Sequence, residues 1–125
     1  MIVEETLQVT TDASGAADVS TNPLNGKLIS IQYVVDGTSP YDNTVDLTVT
    51  NKSTGESLLS QTNIAAAFKK FPRVATQDTS GNALLYAAGG TAQSDYLRLC
   101  DESVRIVLAQ GGNAKTGQFI IQVER

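Results

Sequence analysis

The stretch Ile29-Ser30-Ile31-Gln32-Tyr33-Val34-Val35 turns Ile29, Ile31, Tyr33 and Val35 toward one side and Ser30 and Gln32 toward the other. A period of two is the signature of a half-buried strand, because successive side chains leave a strand on opposite faces. The pattern recurs along the chain. Val45, Leu47 and Val49 alternate with Asp46, Thr48 and Thr50. Val104, Ile106 and Leu108 alternate around Arg105, and Phe119, Ile121 and Val123 alternate with Gln122 and Glu124. Leu97 and Leu99 flank Arg98 in a shorter piece. Leu7 and Val9 enclose Gln8 in a weaker one, where Glu5 falls on the side meant for the core.

Between these runs stand Asp12-Ala13-Ser14-Gly15, Asn51-Lys52-Ser53-Thr54-Gly55, Asp78-Thr79-Ser80-Gly81-Asn82 and Gly111-Gly112-Asn113. Each supplies a residue that tolerates positive φ, as chain reversals between antiparallel strands demand, so hairpins are the economical expectation. Short strands, frequent turns and almost no sustained helical period predict an all-β chain. The expected form is a single-domain antiparallel β-sandwich over residues 1–125, with a jelly roll as one version of it and about seven or eight strands.

Composition narrows the chemistry. The 125 residues leave room for one domain with one modest core. Nine Lys and Arg against thirteen Asp and Glu give a net charge of -4, which argues against a general basic field for nucleic acid. With no His, no Trp and a single cysteine, Cys100, zinc sites of Cys and His, Ser-His-Asp triads and Cys-His dyads cannot be assembled within one subunit. Cys100 is expected as a small buried hydrophobe at a strand end. The first ten residues carry Glu4 and Glu5 and lack a basic flank or apolar run, so they read as mature protein without an export signal. No stretch approaches the ~20 apolar residues of a membrane span, and a soluble protein without a membrane partner is expected.

One segment departs from the strand pattern: Asn63-Ile64-Ala65-Ala66-Ala67-Phe68-Lys69-Lys70-Phe71-Pro72-Arg73. A capping Asn63, three alanines, Ile64 and Phe68 one turn apart and a terminating Pro72 allow a short helix near residues 63–71; an irregular loop is the alternative. Lys69, Lys70 and Arg73 place three of the nine cations within five residues, and subtracting their +3 from -4 leaves -7 on the rest. Phe68, Lys69, Lys70, Phe71 and Arg73 are therefore the candidate partner-binding residues, with a phenylalanine as apolar anchor and the cations setting register on an acidic protein surface. The competing reading is a solvated helix end whose phenylalanines complete the core. Nucleic acid is not the expected partner, since three cations leave a weak footprint.

Other constellations carry less. Asp36, Asp42 and Asp46 lack the spacing and closing Glu of an EF-hand. The Asp101-Glu102 pair, or Asp42 with Asp46, could in principle serve as a glycosidase's two carboxylates, but hairpin-tip acids are commonly just solvated. Ala88-Gly89-Gly90 and Gly111-Gly112-Asn113 precede no helix and carry no P-loop lysine, so they read as turns. No catalytic, cofactor-binding or metal-ligating residue is assigned, and an enzyme is not expected.

The ordered runs from Gly26 to Tyr33, Asp46 to Thr50 with Thr54-Gly55-Glu56, Phe71 to Thr76, Leu85 to Ala92, and Val104 to Gly112 with Lys115-Thr116-Gly117 resemble small structural proteins of tailed bacteriophages and their prophages. The resemblance covers roughly residues 26 to 123. It implies a virion protein made in the host bacterial cytoplasm and placed on the capsid exterior. The implied role is capsid decoration, or cement: a homo-oligomer on shell symmetry axes that clamps the major capsid protein. A head-fibre base, a head-tail joint, a tail component and a carbohydrate-binding adhesion module are the alternatives, the last disfavoured by the absence of Trp.

Overall fold

The computed structural model describes residues 1–77, 79–83 and 94–125. Among these lie ten strands: β1 (Ile2–Thr10), β2 (Ala17–Ser20), β3 (Leu24–Val35), β4 (Asp46–Asn51), β5 (Ser57–Gln61), β6 (Phe68–Lys70), β7 (Arg73–Ala75), β8 (Ser94–Glu102), β9 (Val104–Ala109) and β10 (Thr116–Glu124). They form two antiparallel sheets. The first runs β1-β10-β3-β8-β7 with β6 also paired to β3, and the second runs β2-β9-β4-β5. The count exceeds the expected seven or eight because the Phe68–Ala75 region contributes two three-residue strands, β6 and β7.

The alternating runs fill the space between the sheets. Val9, Leu28, Ile31, Leu97, Phe119, Ile121 and Val123 face Leu47, Val49, Val104, Ile106 and Leu108, all buried. At about 1.5–3 kcal/mol per fully buried large apolar side chain, this face supplies the main drive to fold. One strand breaks the expected phase. The β3–β10 register moves from Ser30↔Gln122 to Leu28↔Val123, so Ile29 is the extra residue of a bulge. The core face of β3 is therefore Leu28, Ile31 and Tyr33, whereas Ile29 is half-buried and Val35 is exposed. Ser30 lies on the other face and donates to Gln122 Oε1 at 3.0 Å.

The expected turns occur, but only one joins a hairpin of two strands. Asn51 to Gly55 closes β4 onto β5, with Gly55 at φ +77°. The reversal at Ser80 and Gly81 sits inside the isolated Gln77↔Ala83 bridge, and Asp78 of that motif lies outside the described residues. The Asp12–Gly15 and Gly111–Asn113 turns instead carry the chain from one sheet to the other. These two corners pack backbone to backbone: Gly111 N donates to Gly15 O at 2.9 Å. A Cβ on Gly15 would come within 2.8 Å of Gly112 N, so glycine is required by contact as well as by its φ of +83°.

No helix forms at residues 63–71. Asn63 takes φ +50° instead of capping, its N–H donates to Asp46 Oδ1, and Ile64 N–H donates to Val45 O at 3.0 Å. These bonds tie an irregular loop to the second sheet before the chain enters β6. Residues 85–92, including the Ala88-Gly89-Gly90 turn expected from sequence, lie outside the described residues.

Candidate docking surface

Strand β3 is twelve residues long, and its edge away from β10 is shared. β8 pairs with Leu24 to Leu28, and β6 pairs with Ile31 to Tyr33. This split edge positions the candidate residues. Phe68 stands opposite Tyr33 and packs against it, ring centroids 5.8 Å apart and tilted by 53°, so it is a half-buried border of the core. Lys69 and Lys70 are exposed opposite Gln32 and Ile31. Phe71 leaves the strand and is 55% exposed, with Lys69 Nζ 5.8 Å from its ring centroid. Of the two phenylalanines, Phe71 is the one a partner can reach.

Arg73 opens β7 opposite Tyr96 of β8. Its Cζ lies 4.2 Å from the Tyr96 ring centroid, and Nη1 donates to Pro72 O at 2.7 Å and to Ile29 O at 3.3 Å. The half-buried bulge residue thus receives the guanidinium at its carbonyl. Lys27 approaches the same ring, Nζ 5.5 Å from the centroid, and Arg98 is its cross-strand neighbour. Lys27, Tyr96 and Arg98 were not singled out from the sequence. Arg98 was legible as an outward residue between Leu97 and Leu99, but its pairing with Lys27 joins positions 71 apart and has no local signature.

The cations here differ in partnering from those of the second sheet. On β9, Arg105 grips Asp18 of β2 through Nε–Oδ1 at 2.9 Å and Nη2–Oδ2 at 2.6 Å. That hydrogen bond holds the Asp18 carboxyl below, and the Arg105 guanidinium above, their ordinary values. It is the sole ion pair among the described residues, so Lys27, Lys69, Lys70, Arg73 and Arg98 meet no carboxylate there. A shallow depression of about 280 Å³ adjoins two of them, Lys27 and Arg98, and is lined also by Gly26, Cys100, Glu124 and Arg125 among others. Cys100 itself is exposed, in contrast to the buried placement expected from its type. Leu97 and Leu99 take the core side of β8, and parity turns position 100 outward.

Of the acids weighed from sequence, Asp36 and Asp46 hold backbone N–H groups, whereas Glu102 Oε2 is buried without a hydrogen-bond partner among the described residues. Asp36 Oδ2 accepts from Thr38 and Ser39 N–H, Asp46 Oδ1 accepts from Asn63 N–H, and Asp101 N–H donates to Asn25 Oδ1. Comparison with protein-family models finds no match, and comparison with curated proteins finds none.

Proposed function

We propose that this chain is a structural protein of a tailed-bacteriophage virion that decorates the head shell, docking onto the major capsid protein through Phe71 and the surrounding cations Lys69, Lys70 and Arg73. The observation that carries the reading is the exposed Phe71 ring, set at the β6–β7 border of the sandwich among charges that meet no carboxylate among the described residues. A large aromatic held in water by a well-packed domain costs apolar exposure that a partner would recover, and aromatic anchors ringed by polar groups dominate many interfaces. The sequence resemblance to phage structural proteins supports the virion setting. The role is mechanical, not catalytic: a stiff sandwich bound at several points gains from high effective concentration, and a cyclic homo-oligomer would match the axes of a shell. We further read the sandwich as a jelly roll. Leaving out β6 and β7, the order β1-β10-β3-β8 facing β2-β9-β4-β5, with the chain repeatedly crossing between sheets, supports two interlocked Greek keys.

The test is binding to shells of the cognate phage assembled without this protein. Phe71→Ala should bind at least about tenfold more weakly, the loss of a hot-spot aromatic, while its thermal midpoint stays near that of the parent. The variant with Lys69, Lys70 and Arg73 all changed to Gln should fold and also lose affinity, and added salt should reproduce its loss in the parent. Full retention of shell binding by both variants, or absence of shell binding by the parent, refutes the proposal.

A further inference from the structure

We infer that the outer face of the first sheet carries a carboxylate-recognition site built from Lys27, Arg73 and Arg98 around Tyr96, and that its occupant is an acidic segment of a protein partner. The inference rests on the docking reading above and enlarges its surface from the β6–β7 border onto β3 and β8. Three observations carry it.

Arg73 is pre-organised. Its guanidinium is stacked on Tyr96, and Nη1 is anchored on two backbone carbonyls. That leaves Nε and Nη2 without an acceptor among the described residues. A planar fork already fixed in place loses little rotamer freedom on gripping a carboxylate bidentately. Next, Lys27 is drawn to the same ring, so two like charges approach one aromatic side chain, with Arg98 beside Lys27. Their mutual repulsion is relieved by an incoming anion. Finally, Glu124 stands across from Lys27 in the β10 register yet forms no ion pair with it. Within an acidic chain of net charge -4, cations on one sheet face that meet no carboxylate among the described residues complement an acidic surface, while the overall sign disfavours a polyanion as long as nucleic acid.

The experiment titrates the full isotopically labelled chain with an oligoglutamate peptide and follows backbone amide shifts, with a single-stranded oligonucleotide of equal charge in parallel. Shifts should centre on Lys27, Arg73, Tyr96 and Arg98. Lys27→Gln with Arg98→Gln should weaken peptide binding by about tenfold or more. Arg73→Lys, which keeps the charge but removes the fork, should weaken it beyond the change that equal charge predicts. All three positions point outward, so the variants should keep the parent's β-type circular dichroism.

Shifts centred elsewhere, unchanged affinity in the double variant, or tighter binding of the oligonucleotide than of the peptide overturns the inference. The outcomes also separate the two readings. Peptide binding through Lys27 and Arg98 without shell binding removes the capsid role and keeps the site. Shell binding that ignores the double variant removes the site and keeps the role.

Discussion

Raising the pH should destabilise this protein through two buried phenols. Tyr33 and Tyr41 lie in an aromatic group with Phe119: Tyr33 stacks on Tyr41 at 5.8 Å and on Phe119 at 5.3 Å, and both tyrosines are nearly inaccessible. Tyr41 hydroxyl donates to Val9 O of β1. Desolvation raises both phenols above the ordinary tyrosine value, helped at Tyr33 by the charge of Asp36 and at Tyr41 by Tyr33 itself. Each group therefore holds its proton more tightly folded than unfolded. The stability it lends is fully present below the unfolded value of about 10 and drains away as pH climbs above it toward the folded value. One unit above, near pH 11, an unfolded-state phenol has gained about 1.4 kcal/mol relative to a folded one that stays protonated, so the loss is about 1.4 kcal/mol from Tyr41, with a further loss of the same sign from Tyr33. Urea melts across this range measure the slope directly, and tyrosinate absorbance reports which phenols ionise before unfolding. Tyr41→Phe should flatten the slope by at least half. At neutral pH it should cost only about 1 kcal/mol, since Val9 O keeps a second donor in Thr116 Oγ1 at 3.3 Å. Stability that is flat between about pH 9 and 11, or full ionisation of every tyrosine near 10 in the folded protein, would refute the reasoning.

Gly26→Ala should destabilise by about 2 to 6 kcal/mol, as backbone strain and overpacking combine, because Gly26 has φ +130° and its new Cβ would sit 2.3 Å from Glu124 O; thermal melts should show it. Gly37→Ala is the control, with nothing within 4 Å and no positive φ, and should be neutral or stabilising by up to about 1 kcal/mol. Cys100 should react with a thiol reagent in the folded state at a rate that does not track denaturant, whereas a rate limited by unfolding would contradict its outward placement.

The fold was legible wherever a strand's inner residues follow strict parity, as they do at Val45-Leu47-Val49, Val104-Ile106-Leu108 and Phe119-Ile121-Val123. The same parity turns Cys100 outward and so corrects the buried placement expected from its residue type. What local pattern could not show is set by partners distant in sequence. The bulge at Ile29 exists only against Gln122 and Val123 of β10. The corners at Gly15 and Gly112 look like hairpin turns until the opposite sheet is present to receive the chain. The alanines at 65–67 favour helix, but hydrogen bonds to Val45 and Asp46 hold their approach in a loop, and the unpaired edge of β3 recruits Phe68 to Lys70 as a strand. The candidate site divides the same way. The Lys69, Lys70 and Arg73 cluster is contiguous and visible in sequence, while Lys27, Tyr96 and Arg98 join it only through the β3–β8 and β7–β8 pairings.

A purely structural account exists for part of this cluster, and its reach is limited. Short edge strands bearing lysines are a common guard against edge-to-edge aggregation, and β6, three residues long with two exposed lysines, fits that description. Such a guard explains charge on β6. It does not explain why Phe71, immediately after the strand, is held in water at 55% exposure, since an exposed aromatic beside an open edge promotes the association that lysines prevent. Nor does it require a guanidinium fixed to two carbonyls and stacked on Tyr96, because edge protection needs charge without orientation. The two accounts diverge in one variant. If the lysines are only guards, changing Lys69 and Lys70 to Gln in the presence of an intact Phe71 should leave shell binding unchanged and lower solubility, with the aggregate growing by strand addition at β6. If they set register on an acidic partner, the same variant should stay monodisperse at working concentration and bind shells more weakly, with the deficit shrinking as salt screens the parent's charges to the same degree.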